Sequence, residues 1–376
     1  MGASSPVVWT DTLRSVTLRT IPRADHTTRT RHPSAAPVRS IPTYLPMTHR
    51  TTESHADERF SRGLLAQTVG LHLALMAGSL AVWRSELPGR WAVLAVLIVA
   101  QGLWLDRMYI AAHEAIHKKL YPSSARLNDF WGTALLMPVA APFTVYRRIH
   151  YFHHGHNRRD HHTANLDTFV VRGEIGALRR ACYQAVWIFY VFLGGFFIHS
   201  LVSVLLFLVV PTEPATRISP VFKHWRMEQR LRAWGELGLG IGYHAAVVAL
   251  FGGAGWVIAL GLPLAVFAWV WSLLLYVYHY DTSVGPDVRH NVRSLPRQRF
   301  FSWLLLNFNE HATHHDDPTI PWHQLPERRH ELPAAYHENQ KVHTLWQAIW
   351  QQRKGPLLEN IAEVGEFSVE LRLGRR

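Results

Sequence analysis

Histidines recur in this chain at spacings that suit metal binding. Two motifs share the pattern His-x-x-His-His, and a third places two histidines four residues apart. Residues three or four apart lie on one face of a helix, and imidazole is the commonest metal ligand in proteins. The eight residues are His113, His117, His150, His153, His154, His311, His314 and His315. Their clustering predicts a metal centre.

Eight imidazoles are too many for one tetrahedral or octahedral ion, so the pattern favours two metals. Imidazole accepts zinc, copper, iron or nickel, and ligand type alone does not select among them. His113-Glu114-Ala-Ile-His117 also matches the HExxH pattern of zinc proteases, which would need a third ligand and a single zinc. A metal transporter or sensor is a further alternative, but we would expect its ionisable residues deep within several spans.

Apolar segments must hold these histidines near a membrane. Residues 64–83 and 91–110 are each long enough to cross about 30 Å of hydrocarbon, and the short link between them predicts a hairpin. Residues 128–146 are interrupted by Pro138 and Pro142 and are predicted to be re-entrant or interfacial.

Two further hydrophobic regions follow. Residues 182–210 are followed by a basic stretch, and the positive-inside rule therefore favours a segment that dips into the membrane and returns. Residues 235–251 and 256–278 predict a second hairpin around the sequence Gly-Gly-Ala-Gly. The expected fold is an all-α integral membrane protein with about four transmembrane helices in two hairpins and a His-rich helical cap.

The chain ends are polar, and three regions are expected. Residues 1–60 are predicted to be a disordered or artefactual tail, since Met47 is a plausible alternative start. Residues 61–330 form the membrane domain, and residues 331–376 form a partly helical, cytosolic C-terminal extension.

Charge and cysteine content exclude several classes. The net charge of +12 is typical of a positive-inside bias, and no nucleic-acid-binding module accompanies it. Cys182 is the single cysteine, which excludes an internal disulfide, a cysteine metal cage and a Cys-ligated iron–sulfur cluster.

The spacing of the three motifs resembles that of the membrane fatty-acid desaturase and hydroxylase superfamily. The third motif lies within Asn307–Pro326, which is similar to that family's pattern N-x-x-x-H-x-x-H-H-x-x-P-x-x-P-x-x-x-L-P. The resemblance covers roughly residues 60–330. It implies that the eight histidines hold a non-haem di-iron centre on the cytosolic side, with O2 as co-substrate. It also suggests His279, just after the last span, as a ninth ligand, with His290 as a weaker candidate.

Other polar residues near the motifs have expected supporting roles. His156, His161 and His162 are expected to be surface groups or to support the ligands, and His72 to pack against a neighbouring helix. Carboxylates can orient ligand imidazoles through the far ring nitrogen. The candidates are Glu114, Asp160, Asp167, Glu310 and Asp316. Lys118-Lys119 could contact an acidic electron donor or lipid headgroups.

The resemblance predicts O2-dependent desaturation of a lipid acyl chain. A hydroxylase or ketolase acting on an alkane, carotenoid or other lipophilic substrate is the alternative within the superfamily, because the motifs do not decide between them. Electrons are expected from a separate ferredoxin- or cytochrome b5-like donor with its reductase. Both termini and all histidine motifs are expected on the cytosolic side.

Overall fold

The fold is known from a computed structural model that describes residues 47–160, 166–171 and 173–360. The chain divides into two units at Thr52. The first unit contributes only the beginning of one helix to the described residues, and everything below concerns the second.

The molecule is mostly helical. The helices are α1 (Met47–Arg84), α2 (Arg90–Ile116), α3 (Ala125–Leu136), α4 (Phe143–His156), α5 (Ala177–Phe192), α6 (Gly195–Val209), α7 (Thr212–Ile218), α8 (Met227–Trp256), α9 (Leu262–Leu274), α10 (Arg299–Leu304), α11 (His311–Asp316) and α12 (Leu345–Gln351). Short 3-10 helices cover Met137–Val139, Pro220–Phe222, Ala334–Gln340 and Gln352–Lys354, and a π-helical turn covers Val257–Gly261.

Within the described ranges, three helical segments are long and apolar enough to cross a membrane: Asp57–Arg84, Arg90–Ile116 and Met227–Leu274. The first two correspond to the spans predicted from the sequence. Helix α1 begins at Met47, upstream of the boundary expected at residue 60, because residues 47–60 contain no proline or glycine to stop a helix. The remainder of the predicted tail, residues 1–46, lies outside the described residues.

Helices α5 and α6 meet at a sharp bend of 87°. Gly194 lies at the bend with φ of +84°, a left-handed conformation that glycine adopts readily. The pair could form either a broken span or a re-entrant loop. If it is one span, the described part of the chain has four candidate spans. The bend lies inside the segment that the sequence predicts to dip and return.

The segment Met227–Leu274 is not a straight rod. Gly252 breaks the helix with φ of +76° and ψ of 171°. The Trp256 indole donates to Nδ1 of His244 at 2.9 Å, although a straight helix would separate these residues by about 18 Å. The chain therefore bends sharply at the Gly-Gly-Ala-Gly sequence.

Helix α2 lies at the centre of the main hydrophobic core and packs closely on α9. Gly102 makes this approach possible, because a Cβ atom there would lie 2.5 Å from Cβ of Val266. Leu105, Ala112 and Ile116 of α2 are fully buried in the same core. The packing fixes the end of α2 that carries the first histidine motif.

The proline-broken region and the C-terminal region differ in detail from expectation. Helix α3 ends before Pro138 and α4 begins directly after Pro142, so the second histidine motif lies on a separate short helix. Two strands also form a parallel pair, β1 (Thr168–Val171) and β2 (Leu357–Asn360). This pairing joins segments far apart in sequence, and no local pattern in either four-residue strand predicted it.

Candidate metal centre

The first histidine motif lies at the end of α2. His113 is in the last turn and His117 caps the helix C-terminus. The Tyr151 hydroxyl of α4 donates to the Ile116 carbonyl at 2.7 Å, which holds α4 against this end of α2.

The second motif occupies the last turns of α4. At the other end of this helix, the Thr144 N–H and hydroxyl both donate to the Glu236 carboxylate of α8, each at 2.7 Å. A carboxylate at a helix N-terminus satisfies free N–H groups and complements the helix dipole. The α8 contact therefore anchors the helix that presents His150, His153 and His154.

The third motif forms α11, a helix of only six residues. Leu306 and Asn307 precede it in a left-handed conformation, with φ of 52° and 57°. The Ala312 N–H donates to Oγ of Ser294 at 3.0 Å, and the Leu295 N–H donates to the Asn309 carbonyl at 2.8 Å. Neighbouring loop residues thus hold a helix that is too short to be stable alone.

The three motifs converge with His279 into two compact groups. In each group the candidate ligand atoms all lie within 4.8 Å of one another. The first group contains five imidazoles: His113, His117, His150, His154 and His314. The second contains four: His153, His279, His311 and His315. All eight motif histidines and the suggested ninth are therefore brought together.

Each His-x-x-His-His motif divides between the two groups. His150 and His154 lie four apart on one face of α4 and share a group, whereas His153 points to the other group. In α11, His314 joins the first group, and His311 and His315 join the second. The motif spacing is thus compatible with two adjacent sites. Which histidine joins which group could not be predicted from the spacing alone.

The ring nitrogens point toward one another in a way that suits metal ligation. The Nε2 atoms are 2.8 Å apart for His117 and His150, and 2.9 Å apart for His279 and His311. Imidazole nitrogens bind metals at about 2.0–2.1 Å, so neighbouring ligands around one ion lie about 3 Å apart. Both ring nitrogens of His113 are buried without a hydrogen-bond partner among the described residues. These observations fit a metal-binding role.

Burial keeps these imidazoles neutral. It lowers the pKa of His117 and His153 to about 4. Burial, reinforced by neighbouring imidazoles, also lowers the pKa of His150, His279 and His315 well below the usual value. Since only neutral imidazole has a lone pair free for a metal, the site is in its ligating form at neutral pH.

Glu114, one of the carboxylates proposed to orient a ligand, lies close to a grouped imidazole. Its Oε1 lies 3.4 Å from Nδ1 of His113, and its Oε2 accepts from the Trp322 N–H at 3.0 Å. Two other candidates, Asp167 and Glu310, form ion pairs with Arg158 and Arg329.

The remaining candidates lie outside the two groups. Asp316 is 3.3 Å from His330, and His290 contacts Asp287 at 2.9 Å. His156 contacts the Phe152 carbonyl, and His72 is hydrogen-bonded to Tyr243 of α8 at 2.8 Å, as expected for a helix-packing histidine. His161 and His162 lie outside the described residues.

A buried ion pair beside His279 was missed in the sequence. Arg158 and Asp167 are completely buried, with Nη1 and Oδ1 2.5 Å apart. Arg158 donates to the Thr282 carbonyl, and Asp167 accepts from the Asp281 N–H at 3.0 Å. Arg158 follows the second motif by only four residues, but a short spacing to a histidine motif does not reveal burial.

Nine clustered imidazoles in two groups could hold metal ions, and the first motif lies at the end of a helix long enough to span a membrane. A sequence model of the fatty acid desaturase family matches residues 88–346. The chain belongs to the fatty acid desaturase family, and it is accordingly an oxidoreductase with a membrane setting and a lipid acyl substrate. A search of curated proteins gives no match.

Proposed function

We propose that this protein introduces a double bond into a lipid acyl chain, using O2 and two iron ions held by histidine. The observation that carries the proposal is the pair of adjacent imidazole groups, five and four residues in size. A single-zinc protease site would need only His113, His117 and one further ligand, and it would leave most of these buried imidazoles without a role.

Each imidazole group would hold one ion. When bound, two irons with O2 supply an oxidant strong enough to break an unactivated C–H bond. The chain's own part is to keep the imidazoles neutral, to fix their orientation and to exclude water. His113, His311, His314 and His315 are almost completely buried and therefore shield the centre from solvent.

The position of the centre suits a lipid substrate. Along α2, His113 lies about 35 Å from Arg90, just beyond a hydrocarbon layer of about 30 Å. An acyl chain in the bilayer could reach this position without leaving the membrane. We propose four spans in two hairpins, with the second hairpin turning near Gly252, and with both termini and the histidines on the cytosolic side.

The reaction needs electrons from a partner. We propose a separate ferredoxin- or cytochrome b5-like donor with its reductase, since the single cysteine provides no Cys-ligated cluster. Lys118, which is exposed directly after the first motif, would contribute to the docking surface for an acidic donor.

Lipid profiling of a host that expresses the chain tests the proposal. We expect a new acyl species lighter by two hydrogens, and its loss in His314→Ala with lowered iron content. His343→Ala, which changes an exposed histidine, should keep the product. A product heavier by one oxygen, or full activity in His314→Ala, would contradict the assignment.

A further inference from the structure

Four large aromatic side chains are exposed on two short helices of the cap. The exposed fractions are 52% for Phe300, 46% for Trp303, 64% for Trp346 and 65% for Trp350. Tryptophan and phenylalanine in such numbers are unusual on a surface that faces only water. We call these four residues of α10 and α12 the aromatic edge.

The aromatic edge is continuous across the two helices. The ring centroids of Phe300 and Trp303 are 6.2 Å apart, and Phe301 between them lies 5.9 Å from Trp346. Trp346 and Trp350 are four residues apart on one face of α12. The two helices therefore present one surface.

The opposite faces of these helices are already packed in the protein. Leu345 and Ala348 of α12 are buried in a hydrophobic cluster with Tyr278 and Leu295. Helix α12 is therefore packed into the protein by its inner face. The aromatic edge is a second apolar face, and no described residues cover it.

The position of α10 along helix α2 indicates what covers the aromatic edge. Arg107 of α2 donates to the Trp303 and Leu304 carbonyls, and its other nitrogen donates to Gln67 of α1 at 3.0 Å. Trp303 also lies 5.7 Å from Trp104 of α2. Arg107 is about 25 Å along α2 from Arg90, close to the boundary of a hydrocarbon layer of about 30 Å.

Positive charge surrounds the aromatic edge. Arg297, Arg299 and Arg353 are exposed near its residues, and exposed Lys354 lies 3.6 Å from Asp281. The Arg353 guanidinium lies 4.0 Å from the centre of the Trp350 ring. Helices α10 and α12 contain no acidic residue. Tryptophan with nearby arginine is typical of the interfacial layer of a membrane, where indole sits among headgroups and cations meet lipid phosphate.

We propose that the aromatic edge is a membrane-interface anchor that seats the cap on a bilayer containing anionic lipid. Phe300, Trp303, Trp346 and Trp350 enter the headgroup–acyl boundary, and the surrounding basic residues bind lipid phosphates. Lipid is favoured over a protein partner because Arg107 and Trp104 join this surface directly to the side of a membrane-length helix. The inference does not depend on the metal or on the reaction.

Depth-dependent fluorescence quenching tests the anchor. In a Cys182→Ser background, Trp350→Cys carries an environment-sensitive fluorophore, and the full chain is reconstituted into vesicles of zwitterionic and anionic phospholipid. We expect blue-shifted emission and a loss of intensity with lipids brominated near the headgroup end of the acyl chain, because interfacial apolar faces lie about 5–10 Å into the headgroup–acyl boundary. Lipids brominated near the chain terminus should quench less.

A label at Glu338, an exposed residue of the same C-terminal region, provides the matched control and should remain unquenched. Equal emission and quenching at positions 350 and 338 would overturn the proposal, as would self-quenching between labelled copies that disappears on dilution with unlabelled protein. Arg353→Gln with Lys354→Gln should weaken quenching in anionic vesicles but not in purely zwitterionic ones. If the label at position 350 is quenched equally in anionic and zwitterionic vesicles while Arg353 and Lys354 are unchanged, the proposed binding of lipid phosphate is refuted.

Discussion

At the scale of single residues, the two imidazole groups depend on where each ring is directed. His153 and His154 are neighbours in sequence but belong to different groups. Consecutive residues on a helix point about 100° apart, so one short helix can serve two adjacent ions. The same reasoning explains how α11 contributes to both groups.

Replacing His279 should affect one group selectively. His279→Ala removes one of only four imidazoles in the second group, so we expect metal content to fall from two ions to about one per chain. Elemental analysis of purified protein would measure this. His290→Ala is the control, because its ring contacts Asp287 rather than either group. An unchanged ion count in His279→Ala would show that this residue is not a ligand.

Replacing Glu114 should weaken metal binding without removing a ligand. Glu114 lies between His113 and the Trp322 N–H, and loss of a group that orients a ligand typically costs about 10- to 100-fold in metal affinity. Glu114→Ala should show such a loss in competition with a chelator, and Glu114→Gln a smaller one because its amide oxygen can still accept from the Trp322 N–H. If Glu114 were instead the general base of a zinc protease, both variants would retain metal and lose all activity.

At the scale of elements, the contact between α2 and α9 determines where the first motif lies. Gly102 permits this contact because its position has no room for a side chain against Val266 and Pro263. The resulting core holds the α2 end that carries His113 and His117. A substitution in the middle of α2 should therefore weaken metal binding by the histidines at its end.

Adding one methyl group at Gly102 tests this coupling. Gly102→Ala places a Cβ atom 2.5 Å from Val266, and overpacking of this kind typically destabilises by about 1–3 kcal/mol. We expect a lower unfolding temperature in detergent and weaker metal retention. Gly78→Ala is the matched control, since its nearest neighbour would be an ordinary 3.9 Å from the new Cβ. Equal melting temperatures for both variants would contradict the close-packing argument.

At the scale of the whole molecule, distant segments meet around His279. The Arg158–Asp167 pair contacts the loop on both sides of this residue, through Tyr276 and Thr282. The β1–β2 pairing then joins the segment after Asp167 to the C-terminal region. The loop that carries His279 is therefore contacted by segments far apart in the chain.

Breaking the buried pair should destabilise this assembly. Arg158→Ala leaves the Asp167 carboxylate buried without its partner, which costs about 3–5 kcal/mol. Thermal unfolding should report the loss, with metal released at a lower temperature than in the parent protein. Arg159→Ala, a change of the exposed neighbouring arginine, should have little effect. A similar stability in both variants would argue against a structural role for the pair.

The sequence alone was enough to predict the family and most of the clustered histidines. Apolar length identified the first two membrane helices, and the repeated histidine spacing identified eight of the nine clustered imidazoles, because both signals are local. The 46 residues before Met47 and those after Asn360 lie outside the described part of the chain, so expectations for them stay predictions.

Only the tertiary structure decided how the imidazoles divide between two groups, which carboxylate approaches a ligand, and what holds His279. These features depend on contacts between segments far apart in the chain, such as Arg158 with Thr282 or Glu114 with Trp322. Local spacing reports which residues share a face of one helix, but it carries no information on which face of another segment will meet them.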